Sequence, residues 1–284
     1  MKTNYQKKEL QFFFCIGCRK SGTTLLAKLL DRHPQIACIW ESYALIYNHK
    51  SSIMNPDSDA WKKHGFAREK VLRLNQIWVD KPNFYWRFMH KLTGYDYIKE
   101  NKFRITMSEA LTDFAERCNA SVVGDKWPWY IDNIELVIKA FPKAKFIYNV
   151  RDPRGIWNSA QRFKERQKGD VILQEMLDKD RKISPYLQRS NFITIRYEDL
   201  VNNPKETLKQ LYQFLGVDCS TQYLVDNQHE DPYPQRWSWI PETSESLNPW
   251  HSNKWQEQMN PHDIERVTNL ADWFIEKYQY SVSK

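Results

Sequence analysis

Gly17-Cys18-Arg19-Lys20-Ser21-Gly22-Thr23-Thr24 is a stretch in which residue types and spacing add up to chemistry. Two glycines separated by four residues and followed by a hydroxyl pair have the spacing of a phosphate-binding loop. Glycine lets the backbone turn tightly and approach an anion, while the hydroxyls of Thr23 and Thr24 add donors. The lysine of a nucleotide triphosphatase, which reaches the β- and γ-phosphates, is replaced by Thr23. Arg19 and Lys20 stand earlier in the loop instead. A ligand with one phosphate at its 5′ end offers a Walker lysine no target, and Lys20 is placed for a cation beside the bond that breaks.

A second basic constellation is Arg151-Asp152-Pro153-Arg154, at the end of the apolar run Lys145–Val150. Its two arginines suit bidentate hydrogen bonds to a second phosphate, with Ser159, Arg162 and Lys164 following on a helix over Gly155–Lys168. Asp152 caps this loop or orients an arginine. Asp152 and Asp125 are also candidate magnesium ligands in a kinase-like reading, which the flanking Arg151, Arg154 and Lys126 disfavour.

For proton removal from an attacking hydroxyl, the favoured carboxylate is Glu41, flanked by Trp40 and Tyr43 after an apolar run. His33 is the runner-up, with His49 and His251 behind it. A salt bridge to a loop arginine is the alternative role for Glu41.

The elements that must hold these residues alternate. Gln11–Ile16 reads as a strand running into the loop, and Thr23–Leu30 as the helix that leaves it. Ser121–Gly124, Lys145–Val150 and Phe192–Tyr197 read as buried parallel strands, Gln35–Ile39 as a weaker one, and Ile131–Phe141 and Lys205–Leu215 as helices, the last stopped by Gly216. Pro261–Tyr278 has the period of one amphipathic helix. Such alternation implies an α/β fold with a central, mostly parallel sheet covered on both faces. With no repeat or linker in 284 residues, the chain reads as a single domain. An aromatic-rich insertion of helices and loops at about 42–118 lies beside the sheet, and a second irregular stretch runs over Asp231–Trp255.

The formal charge of +7 is concentrated: residues 1–32 carry seven basic against two acidic residues, and 139–168 nine against two, leaving −5 for the rest. This points to a small anionic ligand and away from a nucleic-acid stripe. Five cysteines without a secretory signal argue against a disulfide framework, and Cys15 and Cys18 lack the second pair a zinc site needs. The apolar run at Phe12–Ile16 is too short to span a bilayer, so a cytoplasmic protein without a membrane span is expected.

Together these segments resemble the sulfotransferases that use 3′-phosphoadenosine 5′-phosphosulfate. Phe12–Leu30, with Lys20-Ser21-Gly22-Thr23-Thr24, resembles their 5′-phosphosulfate loop, and Val150–Ser159, with Arg151, Arg154 and Ser159, their 3′-phosphate segment. Ile195-Arg196-Tyr197-Glu198-Asp199-Leu200, with Pro204 and the helix to Gly216, is similar to a block whose tyrosine lies near the adenine. Gly124-Asp125-Lys126 is similar to the family's Gly-Asp-Lys strand end, and Asn253-Lys254-Trp255 to a C-terminal segment that closes over the nucleotide.

The resemblance implies a P-loop-like fold and sulfuryl transfer without a metal. It implies Glu41, Lys20 and Lys126 as catalytic residues. Arg19, Lys20, Ser21, Gly22, Thr23, Thr24, Arg151, Ser159, Tyr197, Lys254 and Trp255 are implied around the donor. The spacing of Glu41 from His33-Pro34 matches the tyrosylprotein branch and several bacterial relatives. Many members carry Arg where Lys20 stands, leaving open whether Arg19 or Lys20 faces the sulfonate; Trp127 replaces a frequent Thr. Ser244 and Ser246 are both candidates for a C-terminal donor contact. The expected acceptor is a hydroxyl of a small molecule or carbohydrate, the alternatives being a peptide tyrosine or, outside this chemistry, a nucleotide kinase, an ATPase or a non-catalytic nucleotide-binding protein.

Overall fold

The computed structural model describes residues 10–46, 49–53, 55, 69, 91–93, 97–161, 169–220, 222 and 247–281. Five apolar segments form one parallel sheet: β1 (Gln11–Gly17), β2 (Ile36–Trp40), β3 (Val122–Lys126), β4 (Lys145–Val150) and β5 (Phe192–Arg196), in the order β2-β3-β1-β4-β5. Successive side chains of a strand point to opposite faces. Phe14, Ile16, Ala37, Ile39, Val123 and Phe146 therefore share one core layer, and Phe13, Cys15, Ile36, Cys38, Trp40 and Ile147 the other.

The second layer is covered by α1 (Thr23–Asp31), through Leu26, Leu29 and Leu30, and by Leu208, Leu211 and Leu215 of a helix over Pro204–Leu215. The first is covered by α2 (Tyr97–Cys118), through Phe103, Met107, Leu111 and Phe114, and by α3 (Ile134–Ala140), α4 (Pro153–Gln161) and α5 (Gly169–Ile183). A short α6 (Tyr197–Asn202) joins β5 to α7, the Pro204–Leu215 helix already introduced. None of the described helices is long and apolar enough to cross a membrane.

Several boundaries differ from expectation. β3 continues past Gly124 through Asp125 and Lys126, because it lies between two strands that pair with it to the end: Lys126 is in register with both Cys15 and Trp40. The Ile131–Phe141 helix is instead a 3₁₀ turn, Pro128–Asn133, followed by α3. The helix after Arg151 begins at Pro153 and is described to Gln161, so Arg162 and Lys164 lie outside the described residues. Of the Asp231–Trp255 stretch, the described part contains a helical turn, α8 (Trp250–Asn253), followed by α9 (Trp255–Gln258). The expected Pro261–Tyr278 helix is two, α10 (Pro261–Leu270) and α11 (Asp272–Lys277), parted at Ala271 where ψ rises to 21°.

Candidate active site

In an open parallel sheet, ligands collect beyond the carboxyl ends of the strands where the strand order reverses. β1 is that point, with β3 on one side and β4 on the other. Across this edge the strand ends present Glu41 after β2, Lys126 on β3, the Gly17–Thr24 loop after β1, Arg151 after β4 and Tyr197 after β5.

The loop is held from beneath. Ser21 folds back to donate from its hydroxyl to the Cys18 carbonyl over 2.7 Å, and Asn149 of β4 donates from Nδ2 to the Ser21 carbonyl over 2.5 Å. Lys20 lies in the left-handed region at φ 68°, a cost for a non-glycine residue that neighbouring structure must sustain. Gly22 is the N-cap of α1 at φ 88°, and a Cβ there would lie 2.3 Å from Cδ2 of Tyr197. The loop thus needs glycine twice over, for conformation and to admit the tyrosine ring. Among the described residues no side chain caps the α1 N-terminus. Thr23 is buried and Thr24 half-buried.

Arg19 turns away from this edge. Its guanidinium donates to Glu175 of α5, from Nε over 3.0 Å and more closely from Nη2, and lies 5.7 Å from the Trp129 ring. The Glu175 carboxyl sits below its ordinary range: burial pushes it up, and the hydrogen bonds and charges of Arg19 and Lys179 outweigh that.

Arg151 and Arg154 part company. Arg151 donates from Nη1 to the Lys20 carbonyl over 3.0 Å and from Nη2 to the His251 carbonyl over 3.1 Å, with its guanidinium carbon 4.2 Å from the Tyr197 ring. Its buried Nε has no hydrogen-bond partner among the described residues. Arg154 is 1% exposed, and its Nη1 likewise has no hydrogen-bond partner among the described residues. It binds Asp152 through Nε (2.9 Å) and Nη2 (2.7 Å), donates to the Ser281 carbonyl over 2.8 Å and stacks at 4.1 Å on Trp255. Arg154 thus ties the loop to the C-terminal segment, whereas Arg151 reaches the Gly17–Thr24 loop. Asp152 both caps its loop, accepting the Arg154 N–H, and orients the arginine. Asp125 and Asp152 are both committed to protein donors, and no group of His, Cys, Asp and Glu among the described residues has a metal-holding arrangement.

Gly155 lies between these groups. A Cβ there would sit 3.1 Å from Arg151 Nε and 3.5 Å from Trp255 Cδ1. Trp255 is buried, and its Nε1 has no hydrogen-bond partner among the described residues. Ser159 is half-buried one helical turn further along α4, and Lys254 is buried at the α8–α9 junction, its Nζ 5.6 Å from the Trp250 ring.

At the other end of the edge, Lys126 is 1% exposed along its side chain and donates from Nζ to Glu41 Oε1 over 2.8 Å. The Glu41 N–H donates to the Lys126 carbonyl over 2.8 Å, so the pair is tied by backbone and by charge. The salt bridge expected of Glu41 is made with this strand lysine. Glu41 and Tyr43 are both left-handed, at φ 54° and 52°. Between them Ser42 donates to Asp125 Oδ2 over 2.5 Å, an oxygen that also accepts from Tyr130 over 2.5 Å. Burial pushes the Asp125 carboxyl up to about 6 against these hydrogen bonds, and burial with the charges of Glu41 and Asp125 pushes the Tyr43 phenol to about 12. Tyr43 stacks on His49 with ring centroids 4.3 Å apart and packs against Trp127, which meets Trp129.

Of the other bases weighed, His33 sits before the start of β2, at the opposite edge, bonded to the Asp218 carbonyl and the Gln35 N–H. His251 touches the site through its carbonyl, and Ser244 and Ser246 lie outside the described residues. Ser42, Tyr130 and Asn149 escaped the sequence reading. Asn149 alone left a trace there, as a polar residue within the apolar run Lys145–Val150.

The chain matches the Sulfotransferase family over residues 13–221. It is 26% identical over 226 residues to protein-tyrosine sulfotransferase 2 of Gallus gallus, covering 76% of this chain and 54% of that one. It is 24% identical over 277 residues to the omega-hydroxy-beta-dihydromenaquinone-9 sulfotransferase Stf3 of Mycobacterium bovis (strain ATCC BAA-935 / AF2122/97), covering 75% and 66%. The chain thus spans between half and two thirds of these relatives. Its fold is shared by the sulfotransferase domain of the Synechococcus PCC 7002 olefin synthase, with a TM-score of 0.61 and 17% identity over 98% of both chains. The sulfotransferase domain of the curacin biosynthetic pathway follows, at TM-score 0.59 and 17% identity over 93% of this chain and 98% of that one. With its phosphate loop at the sheet's switch point and a family match over most of its length, the chain belongs to the sulfotransferase family.

Proposed function

We propose that the chain transfers a sulfuryl group from 3′-phosphoadenosine 5′-phosphosulfate to a hydroxyl of a small-molecule or carbohydrate acceptor. The observation that carries this reading is the Lys126–Glu41 pair at the same sheet edge as the phosphate loop, a base just past the end of β2 and a cation at the end of the neighbouring β3. The residues present fit the donor. Buried Arg151 Nε and Trp255 Nε1, both without hydrogen-bond partners among the described residues, belong to side chains that lie against Gly155, and they are donors of the kind a 3′-phosphate accepts from. Arg151, Ser159 and Trp255 would hold that phosphate, the loop with Ser21, Gly22, Thr23 and Thr24 the 5′ end, Tyr197 the adenine, and Lys254 the closing segment.

When bound, the donor supplies a sulfuryl group on a phosphate leaving group. Glu41 takes the proton of the attacking hydroxyl, a contribution of about 10²–10⁴ in rate. Lys126 has three N–H donors, so it holds Glu41 with one while its charge faces the developing negative charge. Lys20 adds the second cation. With Arg19 committed to Glu175, Lys20 is the loop cation assigned to the sulfonate side.

A radiolabelled-donor assay against phenols, alcohols, sugars and tyrosyl peptides tests the reading, with label passing to a small hydroxyl as the expected result. Exclusive labelling of peptides would move the acceptor to tyrosine. Calorimetry supplies the other arm: tighter binding of ATP with magnesium than of adenosine 3′,5′-bisphosphate would overturn sulfuryl transfer in favour of a kinase.

A further inference from the structure

Asp125 and Lys126 are consecutive on β3 and so point to opposite faces of the sheet. They take hold of consecutive residues of the turn after β2: Lys126 binds the carboxylate of Glu41, and Asp125 the hydroxyl of Ser42. Ser42 and Asp125 are both fully buried. The two residues flanking Ser42 occupy the left-handed region, which is unfavourable for side chains other than glycine and persists only where the surroundings impose it. Three backbone groups of this turn are tied elsewhere, the Glu41 N–H to Lys126, the Ser42 carbonyl to the Ile53 N–H and the Tyr43 carbonyl to the Ser52 hydroxyl. The Ser42 hydroxyl fastens its centre to the sheet.

We propose that Asp125, acting through Ser42, is a positioning residue for Glu41: the Asp125–Ser42 hydrogen bond holds the strained turn that aims the Glu41 carboxylate at Lys126 and at the acceptor hydroxyl. The proposal rests on the reading of Glu41 as the base. Burying a carboxyl fully, as at Asp125, is costly, and an apolar side chain would fill the place at less expense. What the carboxylate adds is an acceptor for Ser42 and Tyr130, and of the two only Ser42 lies in the turn. If that bond is lost, the turn relaxes toward extended backbone and the Glu41 carboxylate moves from its place, and a misplacement of about 1 Å costs on the order of a hundredfold in rate.

The test is transfer from the radiolabelled donor to para-nitrophenol and to a tyrosyl peptide, with the bisphosphate affinity measured beside it and crystal structures of the variants. Ser42→Ala and Asp125→Leu are expected to lower kcat by about tenfold to a hundredfold with bisphosphate affinity unchanged. Asp125→Asn, which still accepts from Ser42, retains most of the rate. In a Glu41→Gln background, Ser42→Ala costs nothing further, because it acts through a group already removed. A Ser42→Ala penalty of equal size in both backgrounds overturns the inference while leaving Glu41 as base, as does full activity of Ser42→Ala beside an inactive Glu41→Gln. Full activity of Glu41→Gln removes the base reading and this inference with it. The Ser42→Ala crystal structure decides without any acceptor, or if the Asp125 variants do not fold. A Glu41 carboxylate displaced from Lys126, with φ now negative, supports the proposal; an unmoved one overturns it.

Discussion

Lys126 Nζ stands 2.8 Å from Glu41 Oε1, and the two residues meet because Trp40 and Lys126 are in register at the ends of neighbouring parallel strands. The pair makes each partner's loss felt at the other. Glu41→Gln is expected to lower kcat by roughly 10²–10⁴ while leaving bisphosphate affinity intact. Lys126→Ala should fall by a similar factor, and the double variant should be little worse than either single one, since the two act as a unit. Single-turnover rates with saturating donor are the measurement; additive losses would separate the two roles.

In the proposed function Arg151 meets the second phosphate. Arg151→Ala is expected to weaken adenosine 3′,5′-bisphosphate by about ten- to a hundredfold, the worth of one or two charge-assisted bonds. Binding of adenosine 5′-phosphate should weaken far less. Calorimetric titration of both nucleotides gives the comparison, and equal losses would show that Arg151 only braces the loop.

The two loop cations should respond differently to truncation. Lys20→Ala lowers kcat by about a hundredfold as leaving-group stabilisation is lost. Arg19→Ala acts mainly on loop order, and its effect on melting temperature should be matched by Glu175→Ala and not added to it, since the two side chains are partners. A kcat loss for Arg19→Ala equal to that of Lys20→Ala would reverse the assignment.

Stability should depend on pH through Glu198. The residue is 7% exposed, and its carboxyl is pushed from 4.5 up to about 7, by burial first and by the Asp152 charge, against a hydrogen bond from the Asp152 N–H. The folded protein then keeps a proton that the unfolded chain gives up, so stability falls as pH rises from about 4.5 to 7. Asp125, pushed from 3.8 up to about 6, acts in the same direction over a lower window. Glu198→Gln should flatten the curve and raise stability above neutrality by at most about 3 kcal/mol. Melting temperatures on either side of the window test the sign.

The sequence carried what is local. The loop shows its glycines and hydroxyls side by side, and Lys145–Val150 shows a buried strand through continuous apolarity. Lys126 fell outside its expected strand because Asp125-Lys126 breaks the apolar run, whereas two neighbouring strands continue the backbone pairing regardless of side chain. Arg19 and Lys20 were indistinguishable because the partner that turns Arg19 away, Glu175, lies 156 residues further on. The charge of Arg154 is visible in sequence, whereas the distant Trp255 and Ser281 that it meets are not. The left-handed turn around Ser42 has no glycine to announce it, and its cost is met by contacts from β3 and from Ser52 and Ile53.

One guanidinium, that of Arg151, holds the carbonyls of Lys20 and His251 at once. The floor of the phosphate loop and the segment that begins α8 are therefore fastened by the same ion. In the proposed function the spent nucleotide lies between them and would leave as that double grip lets go, which would make the exit step, and with it the pace of successive turnovers, sensitive to a residue that takes no part in moving the proton.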